Sequence, residues 1–323
     1  MRKLKGYSLA LLLVLLCSCR NGGKAPQGNQ EPSSRPFPEP EVPGMVSDPA
    51  AAADYVAANF WKAFLDTSRI YRSDTTMVNG VSNDDAESAI GKYLTILERS
   101  CPLEKAVKYI SGFEQSLERF ASVDTSSTFF PFFEKQVSRY LYDPNSPVRS
   151  EDLYLPFVSR LAESPMSTEA MRPAYAHDAR MCALNRTGTR AADISFTDLH
   201  GKRHSLYGTK AAYTLLFFSN PGCPACKEIT ETLQASPKVA YMLEEGNLAV
   251  VNVYIDRELD KWREYASEYP DSWICGYDQD YRVRSDVTYN VRAIPSLYML
   301  DSDKVVLLKD ATTEAVMAFI NGL

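Results

Sequence analysis

At 323 residues, with 45% hydrophobic and 24% charged side chains, the chain has the make-up of a soluble globular protein and length enough for two domains. A net charge of -6, with no Lys/Arg cluster after the N-terminus and no interleaving of aromatic with basic residues, argues against nucleic acid as a partner.

Arg2, Lys3 and Lys5 form a basic region ahead of the apolar run Ser8 to Leu16, which is too short to span a bilayer and reads as an export signal over residues 1–18. Leu16-Cys17-Ser18-Cys19 resembles a bacterial lipobox, with a small residue before the modified cysteine and Leu three before it. By that resemblance, Cys19 becomes the lipidated N-terminus; an ordinary cleaved signal with incidental cysteines is the alternative. Arg20 to Lys24 carry no acidic run, which favours an anchor on the periplasmic side of a bacterial membrane. Residues 19–47 follow as a disordered tether, rich in Pro, Gly, Ser, Gln and Glu, with prolines at 26, 32, 36, 38, 40 and 43. Its reach as a coil is on the order of 30 Å.

Residues 48–184 carry helical periodicity. Val56, Phe60, Ala63 and Phe64 form one apolar stripe, and Ile90, Tyr93, Leu94 and Leu97 a second behind the start signal Ser82 to Asp85. Leu103, Val107, Ile110, Leu117 and Phe120 give a third, opened by Pro102. Phe129, Phe133, Val137, Tyr140 and Leu141 give a fourth, and Leu153, Phe157, Val158 and Leu161 a fifth. Aromatic stripes at this spacing are core, and no metal-ligand spacing or nucleophile–base pair occurs among them.

From 185 to 323 the texture becomes α/β, with a mixed sheet. Asp193 to Thr197 and Arg203 to Leu206 suggest a hairpin through His200-Gly201; the two histidines there, His200 and His204, read as solvated turn residues. Thr214 to Phe218 is a buried strand and Lys227 to Leu233 a helix. Between them lies Cys223-Pro224-Ala225-Cys226, with Cys223 near the N-cap and Pro224 at the first helical position. Free N–H groups and the positive dipole end at such a junction stabilise a thiolate, the reactive form of cysteine. Leu248 to Ile255 is a second strand, Asp260 to Tyr269 a helix, Ser296 to Leu300 and Val305 to Leu308 a hairpin, and Thr313 to Leu323 a closing helix.

Beyond the signal and Cys19, five cysteines remain: Cys101, Cys182, Cys223, Cys226 and Cys275. In an oxidising compartment an odd number leaves at least one unpaired in a monomer. Cys101 and Cys182 read as buried inert thiols, with a bridge between them as the alternative.

The CxxC followed by Ile294-Pro295-Ser296 resembles the thioredoxin superfamily over residues 185–323. In that family the proline peptide is cis and faces the dithiol, so the resemblance assigns a substrate-binding role to Ile294 and Pro295. The roughly seventy residues between Cys226 and Pro295, and the upstream hairpin, are similar to the membrane-anchored periplasmic reductase branch. Tyr142 to Tyr154 resembles the signature of an uncharacterised helical domain that precedes thioredoxin-like domains in exported bacterial proteins; it reads as a stiff turn with Ser150 as N-cap.

Three features depart from the family pattern. Phe217 stands where thioredoxins carry a buried Asp, Gly222 where Trp is usual, and Pro-Ala between the cysteines in place of Gly-Pro. Glu228 and Asp256 remain as candidate bases for Cys226.

The resemblance implies a thiol–disulfide oxidoreductase using Cys223 and Cys226, without cofactor or metal. Its partners would be disulfide-containing client proteins and a membrane electron donor, and the absence of His between the cysteines tilts it toward reduction. A redox-inactive adaptor lipoprotein is the rival. A peroxiredoxin reading fails on Asn220, which stands where that branch needs Thr or Ser, and a zinc site on the lack of a second ligand pair.

Overall fold

The computed structural model describes Ser34 to Leu323. The export signal and Cys19 lie outside the described residues, and no described helix is long and apolar enough to cross a membrane.

Among the described residues the N-terminal half is built from six helices, most of them begun by a local signal. Helix α1 (Pro49–Asn59) starts with Pro49 at its first position and the Asp48 carboxylate accepting from the Ala51 amide. A short hairpin of β1 (Met77–Val78) and β2 (Val81–Ser82) leads into α2 (Asn83–Ser100), capped by Ser82 with Asp84 and Asp85 in its first turn. Pro102 opens α3 (Leu103–Ala121), and α4 (Phe129–Leu141) follows. The Ser150 hydroxyl accepts from Leu153 N–H to start α5 (Glu151–Glu163), which packs extensively on α6 (Arg172–Cys182).

Aromatic rings fill the core between these helices. Trp61 stacks on Phe113 with centroids 4.5 Å apart, and Phe133 meets Trp61, Phe64, Phe113 and Phe129 within 6.0 Å. Such offset and edge-on pairs add about 0.5–1.5 kcal/mol each beyond area burial.

Two expectations for this half need correcting. Residues 19–47 are not a disordered tether along their whole length. Arg35 N–H bonds to Gly80 O, and the Phe37 ring lies 5.3–5.4 Å from Phe60, Trp61 and Phe64. One large aromatic in a proline-rich strap buries enough apolar surface to hold it on the core. The stripe Val56–Phe64 also breaks: α1 ends at Asn59, and the following turn buries Phe60 and Phe64 but leaves Ala63 exposed. Helix α6 and the β1–β2 hairpin carried no clear sequence signal.

The C-terminal half is the expected mixed sheet flanked by helices. In chain order it comprises β3 (Ser195–Thr197), β4 (Arg203–Ser205), β5 (Tyr213–Phe218), α7 (Pro224–Ala235), α8 (Pro237–Glu244) and β6 (Leu248–Tyr254). Then come α9 (Leu259–Tyr265), β7 (Ile274–Tyr277), α10 (Arg282–Ser285), β8 (Ser296–Leu300), β9 (Val306–Leu308) and α11 (Thr313–Gly322). The seven strands order β4-β3-β7-β6-β5-β8-β9, with β5–β6 and β6–β7 parallel and the remaining neighbours antiparallel.

Alternation along β5 divides the core. Leu216 and Phe218 face Val251, Val253 and Tyr298, whereas Leu215 and Phe217 face Ile229, Leu233, Val316 and Ile320 of α7 and α11. Strand β7, like α8 and α10, was not among the elements expected from the sequence. Its Gly276 admits β3, since a Cβ there would sit 2.6 Å from Phe196 Cδ2 and 2.8 Å from Thr197 O. Arg35 to Leu323 form one compact body, so the helical half and the sheet half share an interface.

Candidate redox site

Strand β5 ends in Ser219-Asn220-Pro221-Gly222, where Gly222 adopts φ +70°, a conformation glycine takes at no steric cost. That turn aims the chain into α7, with Cys223 as the N-cap and Pro224 at the first helical position. Cys223 Sγ accepts from the Cys226 amide at 3.2 Å. The two cysteines are joined as a disulfide, their Cα atoms 5.2 Å apart. Cys223 is half-buried and borders a cleft of about 710 Å³ with Lys227, Lys261, Glu264 and Tyr265; Cys226 is buried behind it.

The Ile294–Pro295 peptide is cis, and Ile294 packs in the same core as both cysteines. Pro295 and Ala225 line a second cleft, of about 670 Å³, on the other side of α7. Its opposite wall is Asn145, Ser146 and Pro147 of the helical half. The structure thus brings Cys223, Cys226, Ile294 and Pro295 together across some seventy residues of sequence, while Cys19 lies outside the described residues.

Burial pushes the Cys226 thiol of the dithiol form up to about 12, and the Cys223 sulfur adds to the rise. Phe217 is wholly buried beside it, with its ring edge-on to Trp273. Neither candidate base contacts Cys226. Glu228 is exposed on the outer face of α7, and Asp256 is held by Asn220 Nδ2 at 2.9 Å and Arg284 at 3.3 Å. Buried polar groups at this end of the sheet include Ser219, Asn252 and Tyr269. Ser219 Oγ bonds to the Asn252 amide at 2.8–3.0 Å and lies 3.1 Å from the Tyr269 hydroxyl, whose pKa burial holds above the ordinary range. A polar pair at the buried end of two adjacent strands was the available sequence signal for them.

The other described cysteines are free. Cys182 is buried at the end of α6, Cys101 is half-buried, and Cys275 on β7 packs in the core that holds Cys226. Cys101 and Cys182 are therefore not bridged, and burial raises the pKa of each. His204 is tied to Asp198 at 2.8 Å and stacks on Phe196 within the β3–β4 hairpin.

Residues 17–182 match the family described as a domain of unknown function, DUF5106. The chain belongs to the DUF5106 family. Residues 211–306 match the family described as thioredoxin-like, so the two halves join a DUF5106 domain to a thioredoxin-like domain. A thioredoxin-like protein from Bacteroides caccae ATCC 43185 is 33% identical with a TM-score of 0.77, covering 89% of this chain and 98% of that one. The likeness therefore extends through both domains. The C-terminal domain of an uncharacterized protein from Bacteroides fragilis NCTC 9343 is 42% identical, covering 42% of this chain and 98% of that one, with a TM-score of 0.41. Nucleoredoxin of Homo sapiens is 29% identical over 102 residues, which are 31% of this chain and 23% of that protein. The chain thus spans about a quarter of the length of the curated relatives it matches.

Proposed function

We propose that the protein is a thiol–disulfide oxidoreductase that reduces protein disulfides in the bacterial cell envelope, held to the periplasmic side of a membrane by lipid on Cys19. The observation that carries the redox reading is the Cys223–Cys226 pair at the start of α7, with the cis Ile294–Pro295 peptide in the same core. Membership of a thioredoxin-like family supports it. The anchor rests on the lipobox resemblance at Leu16 to Cys19.

The Cys223 thiolate attacks one sulfur of a client disulfide, forming a mixed disulfide and expelling the other client sulfur as a thiolate, which takes up a proton. Deprotonated Cys226 then attacks Cys223 Sγ. This expels the second client thiolate and leaves the Cys223–Cys226 disulfide. Two electrons pass from dithiol to client, and a membrane electron donor returns two to reset the pair.

The test is reduction of insulin by the pre-reduced full-length protein. Cys223→Ser abolishes it, and Cys226→Ser accumulates mixed disulfides with the client. A parent protein that reduces no disulfide overturns the reading, and client capture unchanged after both cysteines become Ala favours an adaptor. For the anchor, labelled fatty acid is incorporated into the parent in a bacterial host and lost in Cys19→Ala.

A further inference from the structure

The segment carrying Pro295 is fastened on both sides by the helical domain. Upstream, Glu151 in the first turn of α5 is fully buried. Its Oε1 accepts from Asn290 Nδ2 at 2.6 Å and Arg292 Nε at 3.0 Å, and its Oε2 pairs with Lys309 Nζ at 2.8 Å. Downstream, the Arg149 guanidinium donates to the backbone carbonyls of Asp310 and Ala311, both at 3.0 Å. The Asp310 carboxylate closes the ring, accepting from Ser296 Oγ at 2.7 Å and Arg292 Nη2 at 3.0 Å. The Arg292 guanidinium also lies 4.2 Å from the Tyr142 ring centroid. Residues 290, 292 and 296, which bracket Ile294-Pro295, are thus each tied directly or through Asp310 to Glu151 and Arg149.

A buried cluster of two carboxylates and three cations is an expensive way to join two domains, because desolvation offsets most of the Coulomb gain. What it provides that apolar packing does not is fixed geometry, since each group has one set of partners and one register. From this arrangement we propose that Glu151 and Arg149 are positioning residues for the redox site. The DUF5106 domain holds the Ile294–Pro295 wall in the place where client polypeptide binds. The inference rests on the proposed oxidoreductase activity for its kinetic consequence, whereas the immobilisation of residues 290–296 stands apart from that activity.

The experiment compares the full-length parent with Glu151→Gln by two readouts. The first is amide hydrogen exchange of peptides spanning residues 290–296. The second is kcat and KM for reduction of a small peptide closed by one disulfide, with dithiothreitol returning two electrons to the Cys223–Cys226 pair each turnover and its uncatalysed rate subtracted. Exchange in 290–296 is expected to rise about tenfold while β5 and β6 stay protected. KM is expected to rise about tenfold, equivalent to about 1.4 kcal/mol of binding, with kcat within about twofold. General destabilisation would instead raise exchange throughout and lower kcat. Should Glu151→Gln not fold, Arg149→Gln leaves the Glu151 ion pairs in place and is read the same way. Unchanged exchange at 290–296 in a folded variant overturns the proposal, as does loosened exchange with KM and kcat both at parent values. A parent that reduces no peptide overturns the oxidoreductase reading, and the exchange result then decides the positioning claim by itself.

Discussion

In the proposed reaction, the burial of Cys226 sets how fast a mixed disulfide on Cys223 is resolved. Burial, with the Cys223 sulfur as the second cause, lifts Cys226 from 9.0 to about 12. At pH 7 a thiol of pKa 9 is ionised about one part in a hundred, and one of pKa 12 about one part in 100,000, so burial removes about a thousandfold of the reactive form. The more basic thiolate is the stronger nucleophile. With a Brønsted coefficient of about 0.45 that returns roughly twentyfold, leaving resolution of a mixed disulfide about fiftyfold slower than with an unburied thiol. With Phe217 beside Cys226, and Glu228 and Asp256 turned elsewhere, no carboxylate assists the deprotonation. The rate must therefore rise about tenfold per pH unit from pH 6 to 10, because the whole interval lies below the thiol's pKa. The assay loads Cys223 with a chromophoric aromatic thiol as a mixed disulfide and follows its release by stopped flow. Cys226→Ser should release none. A plateau between pH 8 and 9.5 would refute the reasoning, since it would mean that a nearby group ionises Cys226 despite its burial.

Two further consequences concern stability. Burial, then Glu118, raises Glu114 to about 7 against the pull of Arg160. A carboxyl whose folded pKa is raised stabilises the fold fully below its unfolded value near 4.5, and that contribution is lost as pH climbs through 7. The interval corresponds to at most about 3 kcal/mol, and solvent screening of the repulsion from the partly exposed Glu118 brings the expected change to about 1–2 kcal/mol. Urea unfolding should therefore show Glu114→Gln gaining that much relative to the parent at pH 8 compared with pH 5; an equal difference at both pH values refutes it. In the sheet, Gly276→Ala forces a Cβ against the Thr197 carbonyl and the Phe196 ring. The expected loss is about 1–3 kcal/mol. A urea midpoint equal to the parent's would show that β3 and β7 separate freely at that point.

The amino-acid sequence by itself determined the elements whose signals are local. The caps at Ser82 and Ser150, the apolar stripes of α2 to α5, and the apolar run leading into Cys223-Pro224-Ala225-Cys226 each specify their own neighbourhood. Capping and periodicity act over one or two turns, so they can be read without knowing what lies opposite. The dithiol, taken with the Ile294-Pro295 pair some seventy residues on, made the thioredoxin-like resemblance legible. Only the tertiary structure decided the rest. Strand β7 is four residues long and contains Gly276, so its identity comes from pairing with β6 and β3 rather than from its own pattern. Phe37 looks like part of a proline-rich strap until it meets Phe60, Trp61 and Phe64. Glu151 reads as an ordinary first-turn carboxylate on α5, yet its partners are Asn290, Arg292 and Lys309, about 140 or more residues away. A buried charge is tolerated only where opposite charges and donors surround it, and that surrounding is assembled by the meeting of the two domains.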